Sequence, residues 1–121
     1  MMIKMKIYTL STCDTSRRII KPISKEGFEI KDIKKGSITS DELEEMKALS
    51  GSYESLFSRR SRSYISMGLK EKTLLEEDYR SLILKDYTFL KRPVIIIEDS
   101  IFIGNQKKNV SDLYKKLGVD G

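Results

Sequence analysis

An α/β fold built on a mixed sheet is predicted by the order in which strand and helix signals fall along the chain. Three observations carry that reading. A β-prone run, a helix-compatible stretch and a second alternating run fit within the first 34 residues, about the length of one βαβ unit. A continuous β-branched run, Val94-Ile95-Ile96-Ile97, stands near the other end and is followed by a second short apolar run. Between them, residues 37–88 carry capping patterns and apolar residues at helical spacing. The 121 residues suit one domain. Its expected parts are a βαβ half over 4–34, an inserted helical block over 37–88 and a ββα half over 92–118.

Each element has a local reason. Residues 4–9 read as the first strand and residues 14–26 as a helix ending near Gly27, a suitable C′ residue. Pro22 removes one helical hydrogen bond and crowds the preceding turn, so a kink or an early end is expected there. Residues 28–33 alternate apolar and charged, the period of a half-buried strand. Thr39-Ser40-Asp41-Glu42 fits a capping box, followed by Leu43, Met46 and Leu49, and Gly51 closes that helix. Ser52 is placed to cap a short turn through Leu56 and Phe57. Thr73-Leu74-Leu75-Glu76 is a second capping-box pattern, and the helix after it is expected to bury Leu74, Leu75, Tyr79, Leu82 and Ile83. Pro93 to Ile97 reads as a strand buried on both faces. The three residues Glu98 to Ser100 then turn the chain into an antiparallel partner, Ile101 to Ile103. Asn109 or Ser111 caps a last helix that ends at Gly118.

Composition narrows the function. Apolar residues make up 39% and charged residues 34%, the balance of a soluble globular protein. No apolar run approaches the roughly 20 residues that span a bilayer. The start, Met1 to Lys6, has no long apolar stretch with a small-residue cleavage site, so a cytoplasmic location and no membrane partner are expected. Histidine is absent, which eliminates Cys–His and Ser–His–Asp catalysis. One cysteine and no histidine also leave no usual zinc ligand set, and no metal is expected. The net charge of +5 points either to a mildly basic surface or to an anionic partner: glutathione, an oxyanion, nucleic acid or an acidic protein patch.

Cys13, the sole cysteine, follows the first strand and a short polar turn, and a helix-compatible stretch begins after it. A sulfur at a helix N-terminus meets unpaired N–H groups and the positive end of the helix dipole, which favour the reactive thiolate. The other reading is a small buried hydrophobe, the usual fate of a lone cysteine. Any redox cycle through Cys13 needs a sulfur on another molecule, since no internal disulfide can form. The Cys-x5-Arg phosphate loop of small tyrosine phosphatases is excluded, because Ile19 holds the arginine's position.

The element order, with a cysteine after the first strand, is that of a thioredoxin or glutaredoxin core. Cys13-Asp14-Thr15-Ser16-Arg17 resembles the Cys-x-Thr-Ser-Arg motif of the glutaredoxin-coupled arsenate reductases and their Spx and YffB-like relatives. Leu56-Phe57-Ser58-Arg59-Arg60 resembles that family's Leu-Phe-Asn-x-Arg segment. Leu90-Lys91-Arg92-Pro93-Val94-Ile95 resembles its Arg-Pro-apolar segment before the third strand. The likeness runs from about residue 5 to residue 117.

The resemblance implies one site. Cys13 is its nucleophile, and the N–H groups of Thr15 and Ser16 stabilise the thiolate. Arg60 and Arg92 lower the thiol pKa and hold a carboxylate or oxyanion; whether Arg59 or Arg60 faces the sulfur is left open. Pro93 resembles the cis-proline of thioredoxin folds, beside which a thiol peptide such as glutathione pairs. Ser16 replaces the second cysteine of CxxC oxidoreductases, so the resolving thiol comes from outside. Two departures separate the chain from the arsenate reductases: Gly104 stands where they carry a further arginine, as in the YffB and Spx relatives, and their histidine near the cysteine is missing.

The implied activity is that of a glutathione- and glutaredoxin-linked thiol oxidoreductase. It binds no resident cofactor, uses glutathione as co-substrate and acts on a small oxyanion such as arsenate or on a thiol substrate. The alternative is an Spx-like regulator that binds RNA polymerase without turnover. The basic segment Arg59 to Arg62 suits that role, whereas Ser16 removes the second sulfur of the Spx redox switch.

Overall fold

The computed structural model describes residues 4–119. Its contacts cluster into two compact units, Met1–Gly36 with Arg92–Gly121, and Ser37–Lys91.

The first unit is the α/β part. It holds β1 (Met5–Thr9), α1 (Asp14–Ile20), β2 (Glu29–Asp32), β3 (Val94–Ile97), β4 (Ser100–Ile103) and α5 (Lys107–Leu117), the last numbered in chain order with the helices of the second unit. The sheet order is β2-β1-β3-β4. β1 pairs parallel with β2 and antiparallel with β3, and β3 pairs antiparallel with β4, so the expected mixed sheet is present. All four residues of β3 are buried, as its unbroken β-branched run requires. One face of the sheet forms a core in which Ile7, Ile95 and Ile97 meet Ile19 and Ile23 from the α1 region and Leu113 from α5. Tyr114 fixes the two helices together by donating its hydroxyl to the Ile19 carbonyl at 2.8 Å.

The first helix is shorter than its apolar pattern suggests. α1 stops at Ile20 and a 3-10 turn, Lys21–Ile23, takes Pro22 near its start, where the missing N–H costs nothing. Gly27 is therefore not a helix cap; it serves the link to β2 with φ 87°. β2 is one of the two sheet edges, which explains why Ile30 is 52% exposed despite its place in an alternating run. The hairpin is tighter than expected. Ser100 already pairs with Ile97, leaving only Glu98 and Asp99 in the turn, and Glu98 adopts φ 54° to close it.

The second unit is helical: α2 (Ser40–Ser50), α3 (Arg62–Ser66) and α4 (Glu76–Lys85), joined by 3-10 turns at Glu54–Leu56 and Leu69–Glu71, with a third, Tyr87–Phe89, after α4. The capping box at α2 is closed in both directions: Glu42 N–H donates to Thr39 Oγ1 at 3.1 Å, and Thr39 N–H donates to Glu42 Oε1 at 2.8 Å. Gly51 ends the helix at φ 95°, a conformation that disfavours any residue with a β-carbon. Ser52 Oγ accepts from Ser55 N–H at 3.1 Å, at the turn assigned to it from sequence.

Two helix starts differ from the sequence reading. α4 begins at Glu76 rather than after Thr73, with Asp78 accepting from Leu75 N–H at 2.8 Å. Glu76 is not free to serve a Thr73 cap, because its carboxylate accepts from Tyr53 N–H and Glu54 N–H at 2.8 and 3.1 Å. Leu75 consequently lies outside the helix and is 67% exposed, Leu74 and Leu82 are half-buried, and Tyr79 and Ile83 alone of the five enter the core. α5 starts after Gln106; Asn109, in its first turn, instead donates to the Gly104 carbonyl at 2.9 Å. Gly118 closes α5 in the left-handed region, as expected.

Candidate functional site around Cys13

The turn that presents Cys13 is built from β1. Cys13 N–H donates back to the Leu10 carbonyl at 2.9 Å, closing Leu10 to Cys13 into a tight turn, and the Cys13 carbonyl accepts from Arg17 N–H at 3.0 Å to start α1. Cys13 is thus the N-cap of α1, in extended backbone with no side-chain capping bond, and its thiol is partly exposed. The buried-hydrophobe reading of the lone cysteine does not describe this environment.

Burial by itself pushes the Cys13 thiol up, yet the balance lies below its ordinary value. The Ser16 hydroxyl and N–H pull hardest in that direction, followed by the positive charge of Arg92 and the Thr15 N–H. Ser16 is fully buried, and its Oγ has no partner of good hydrogen-bond geometry; it stands close enough to the sulfur to favour the ionised form. A buried hydroxyl without a partner is costly in an ordinary helix start. Here it remains available to an anion.

Arg92 and Pro93 come from the strand side. The Arg92–Pro93 peptide is cis, Pro93 is buried, and its carbonyl accepts from Gly104 N–H at 2.8 Å. Gly104 is buried at φ 82°, directly after β4. This is the corner where an arginine is absent, and its left-handed backbone suits glycine.

A residue pair not anticipated from sequence supports the cysteine turn. β1 and β2 end side by side, with Thr9 opposite Asp32 and Ile33 N–H donating to the Thr9 carbonyl at 2.9 Å. The Asp32 carboxyl is held below the usual carboxylate range, first by the Ser11 hydroxyl, against burial and with help from the Lys34 and Ser11 N–H groups and Lys35. Ser11 lies within the turn that carries Cys13. The parallel register that brings Asp32 alongside that turn is a tertiary fact with no local signature.

The two candidate arginines of the helical unit divide clearly. Arg59 is engaged there: its guanidinium bonds Glu54 at 2.9 Å and the Tyr79 hydroxyl at 3.0 Å, and stands over the Tyr79 ring. Arg60 is exposed, and among the described residues its side chain has no partner. Among the described residues no group of three His, Cys, Asp or Glu is placed to hold a metal ion, and no helix is long and apolar enough to cross a membrane.

Comparison with known proteins places this geometry in a family. The model of the ArsC family matches residues 8–113, and the chain belongs to that family. Among solved structures, an arsenate reductase from Vibrio cholerae superposes with a TM-score of 0.77 at 14% identity, covering 91% of this chain and 97% of its own. An arsenate reductase related protein from Brucella melitensis gives a TM-score of 0.64 at 18% identity, covering 93% and 95%. A Staphylococcus aureus protein gives 0.70 at 25% identity, covering 93% and 96%. These likenesses establish the fold, an α/β thioredoxin-like core with a mixed four-stranded sheet. No curated protein matches the chain in sequence.

Proposed function

We propose that the protein is a glutathione-linked thiol oxidoreductase, acting in the cytoplasm, with Cys13 as its nucleophile. The observation that carries this reading is the partly exposed Cys13 thiol at the N-cap of α1, its pKa lowered by Ser16, Arg92 and Thr15 against burial. The Cys13 thiolate attacks one sulfur of a glutathione mixed disulfide. The S–S bond breaks, the leaving thiolate takes a proton from solvent, and Cys13 holds the glutathionyl group. A thiolate of glutaredoxin, or of a second glutathione, then attacks the glutathione sulfur and returns Cys13 to its ionised form. The absence of a second cysteine at Ser16 makes that external thiol necessary.

In this scheme Arg92 holds a carboxylate of glutathione and the backbone beside Pro93 pairs with its peptide groups. A disulfide fits the site better than arsenate. An oxyanion carries more charge than a disulfide, and Gly104 supplies no cation at the corner after β4. Arsenate remains the second substrate to assay, with glutathione thiols supplying its two electrons.

The test is the pH dependence of Cys13 alkylation by iodoacetamide, followed by mass analysis after exposure to oxidised glutathione. The expected result is a midpoint below the ordinary thiol value of about 8.5 and one glutathionyl group on the native protein. A midpoint at or above that value, or no adduct until the protein unfolds, rules the reading out.

A further inference from the structure

We propose that the groove between α1 and α5 is a docking surface for an acidic polypeptide segment carrying a central apolar side chain. The groove encloses about 690 Å³ and lies wholly within the α/β unit. Its apolar lining is Ile19, Val110, Tyr114 and Val119. Arg18, Lys107 and Lys115 line it as well, all three exposed and without an ion-pair partner among the described residues. Among the described residues no carboxylate lines it. Of the described carboxylates adjacent in sequence to the lining, Asp14 pairs with Arg17 and Asp112 with Lys108. Among the described residues the surface therefore offers three cations without an ion-pair partner around an apolar floor, the complement of an acidic chain with an apolar anchor.

Spacing selects the kind of anion. Lys107 and Lys115 are eight residues apart on α5, roughly 12 Å along the axis at 1.5 Å per residue. One small anion contacts both only if the two side chains bend toward each other. An extended peptide of four or five residues spans that distance at about 3.3 Å per residue. The aliphatic floor favours a peptide over a nucleic acid, whose bases want aromatic faces to stack on; Tyr114 is the only aromatic in the lining, and its hydroxyl is tied to Ile19. Thr15, whose N–H acts on the Cys13 sulfur, sits at the groove's edge, so a docked chain lies beside the helix that carries the thiol.

The probe is a fluorescein-labelled hexapeptide in which acidic residues flank a central Leu-Phe pair, titrated against the full chain by anisotropy at low and moderate salt. Saturable binding is expected, weakened at least tenfold in the triple variant Arg18→Ala, Lys107→Ala, Lys115→Ala. All three residues are exposed, so the fold should survive, and circular dichroism checks it. The charge-matched control, Lys25→Ala, Lys34→Ala, Lys35→Ala, is expected to bind as the parent does. Replacing the Leu-Phe pair by serines is expected to abolish saturation. The inference is overturned by no binding, by equal weakening in the control, by unchanged binding of the serine peptide, or by a single-stranded oligonucleotide of equal charge binding more tightly than the peptide. The readout is binding alone, so failure of the Cys13 chemistry leaves it intact, and its own failure leaves that chemistry intact.

Discussion

The starts of α1 and α2 solve the same problem in opposite ways. Every helix opens with N–H groups that lack intrahelical partners. At α2 the chain supplies them: Thr39 and Glu42 close a reciprocal box, and the end is satisfied. At α1 the N-cap is Cys13, which makes no capping bond, and the buried Ser16 hydroxyl has no partner of good geometry. The donors spent on stability at Thr39 are kept in reserve at Cys13, where they favour a negatively charged sulfur. The difference teaches that an open helix start matters when a reactive group sits on it: α5 also begins without a side-chain cap, at Gln106, but carries no thiol there.

That comparison can be broken by mutation. The largest effect is expected from Cys13→Ser: complete loss of thiol-dependent turnover and of glutathione adduct formation, with the thermal midpoint nearly unchanged. Retained turnover would show that the reserve at α1 serves no reaction. Thr39→Ala is expected to lower stability by about 1 kcal/mol, measured by urea unfolding, while the alkylation midpoint of Cys13 stays where it was. Ser16→Ala reverses that pattern. The alkylation midpoint should rise, because the strongest charge-stabilising neighbour is gone, while stability holds or improves, because an unpaired buried hydroxyl is removed. A Ser16→Ala protein that loses stability like a capping variant would erase the distinction. Arg92→Gln should raise the same midpoint by less than Ser16→Ala does.

A smaller effect sharpens the comparison through pH. Folding lowers the Cys13 pKa, so the unfolded chain binds the thiol proton more tightly. The stabilisation is therefore complete above the unfolded value of about 8.5 and is lost as pH falls through the folded value. Relative to Cys13→Ser, the parent protein should gain stability as pH rises between those two values and stay level above them. Thr39→Ala should leave that slope untouched.

The features legible in sequence are those whose cause is local. The four β-branched residues of β3, the Thr39 box and the position of Cys13 after a β-prone run each depend on near neighbours, and each was readable. Pro22 announced the early end of α1 for the same reason. The start of α4 was misread because Glu76 is claimed by N–H groups more than twenty residues away, at Tyr53 and Glu54. The start of α5 was misread because Asn109 is drawn to the carbonyl of Gly104 instead of capping the helix. The exposure of Ile30 is not in the pattern of residues 28–33, because alternation signals a strand without telling an edge from a centre. At the site, Cys13, Thr15, Ser16 and Arg92 stand within one unit, and the thiol's partners were visible in the motif. The support that Asp32 gives through Ser11 was not, because only the parallel register of β1 and β2 brings them together. The engagement of Arg59 by Glu54 and Tyr79 depends on side chains that the fold brings together and that the motif does not record.

Gly104 bears on what this chain can become. Its φ of 82° costs a residue with a β-carbon roughly 1–2 kcal/mol, and its N–H and carbonyl are both in use, toward Pro93 and Asn109. An arginine introduced there by one codon change would arrive on a backbone that resists it, before any benefit to anion binding could be felt. The corner after β4 thus acts as a barrier between neighbouring sequences. A lineage holding this glycine would place a guanidinium at this corner only by first rebuilding the turn.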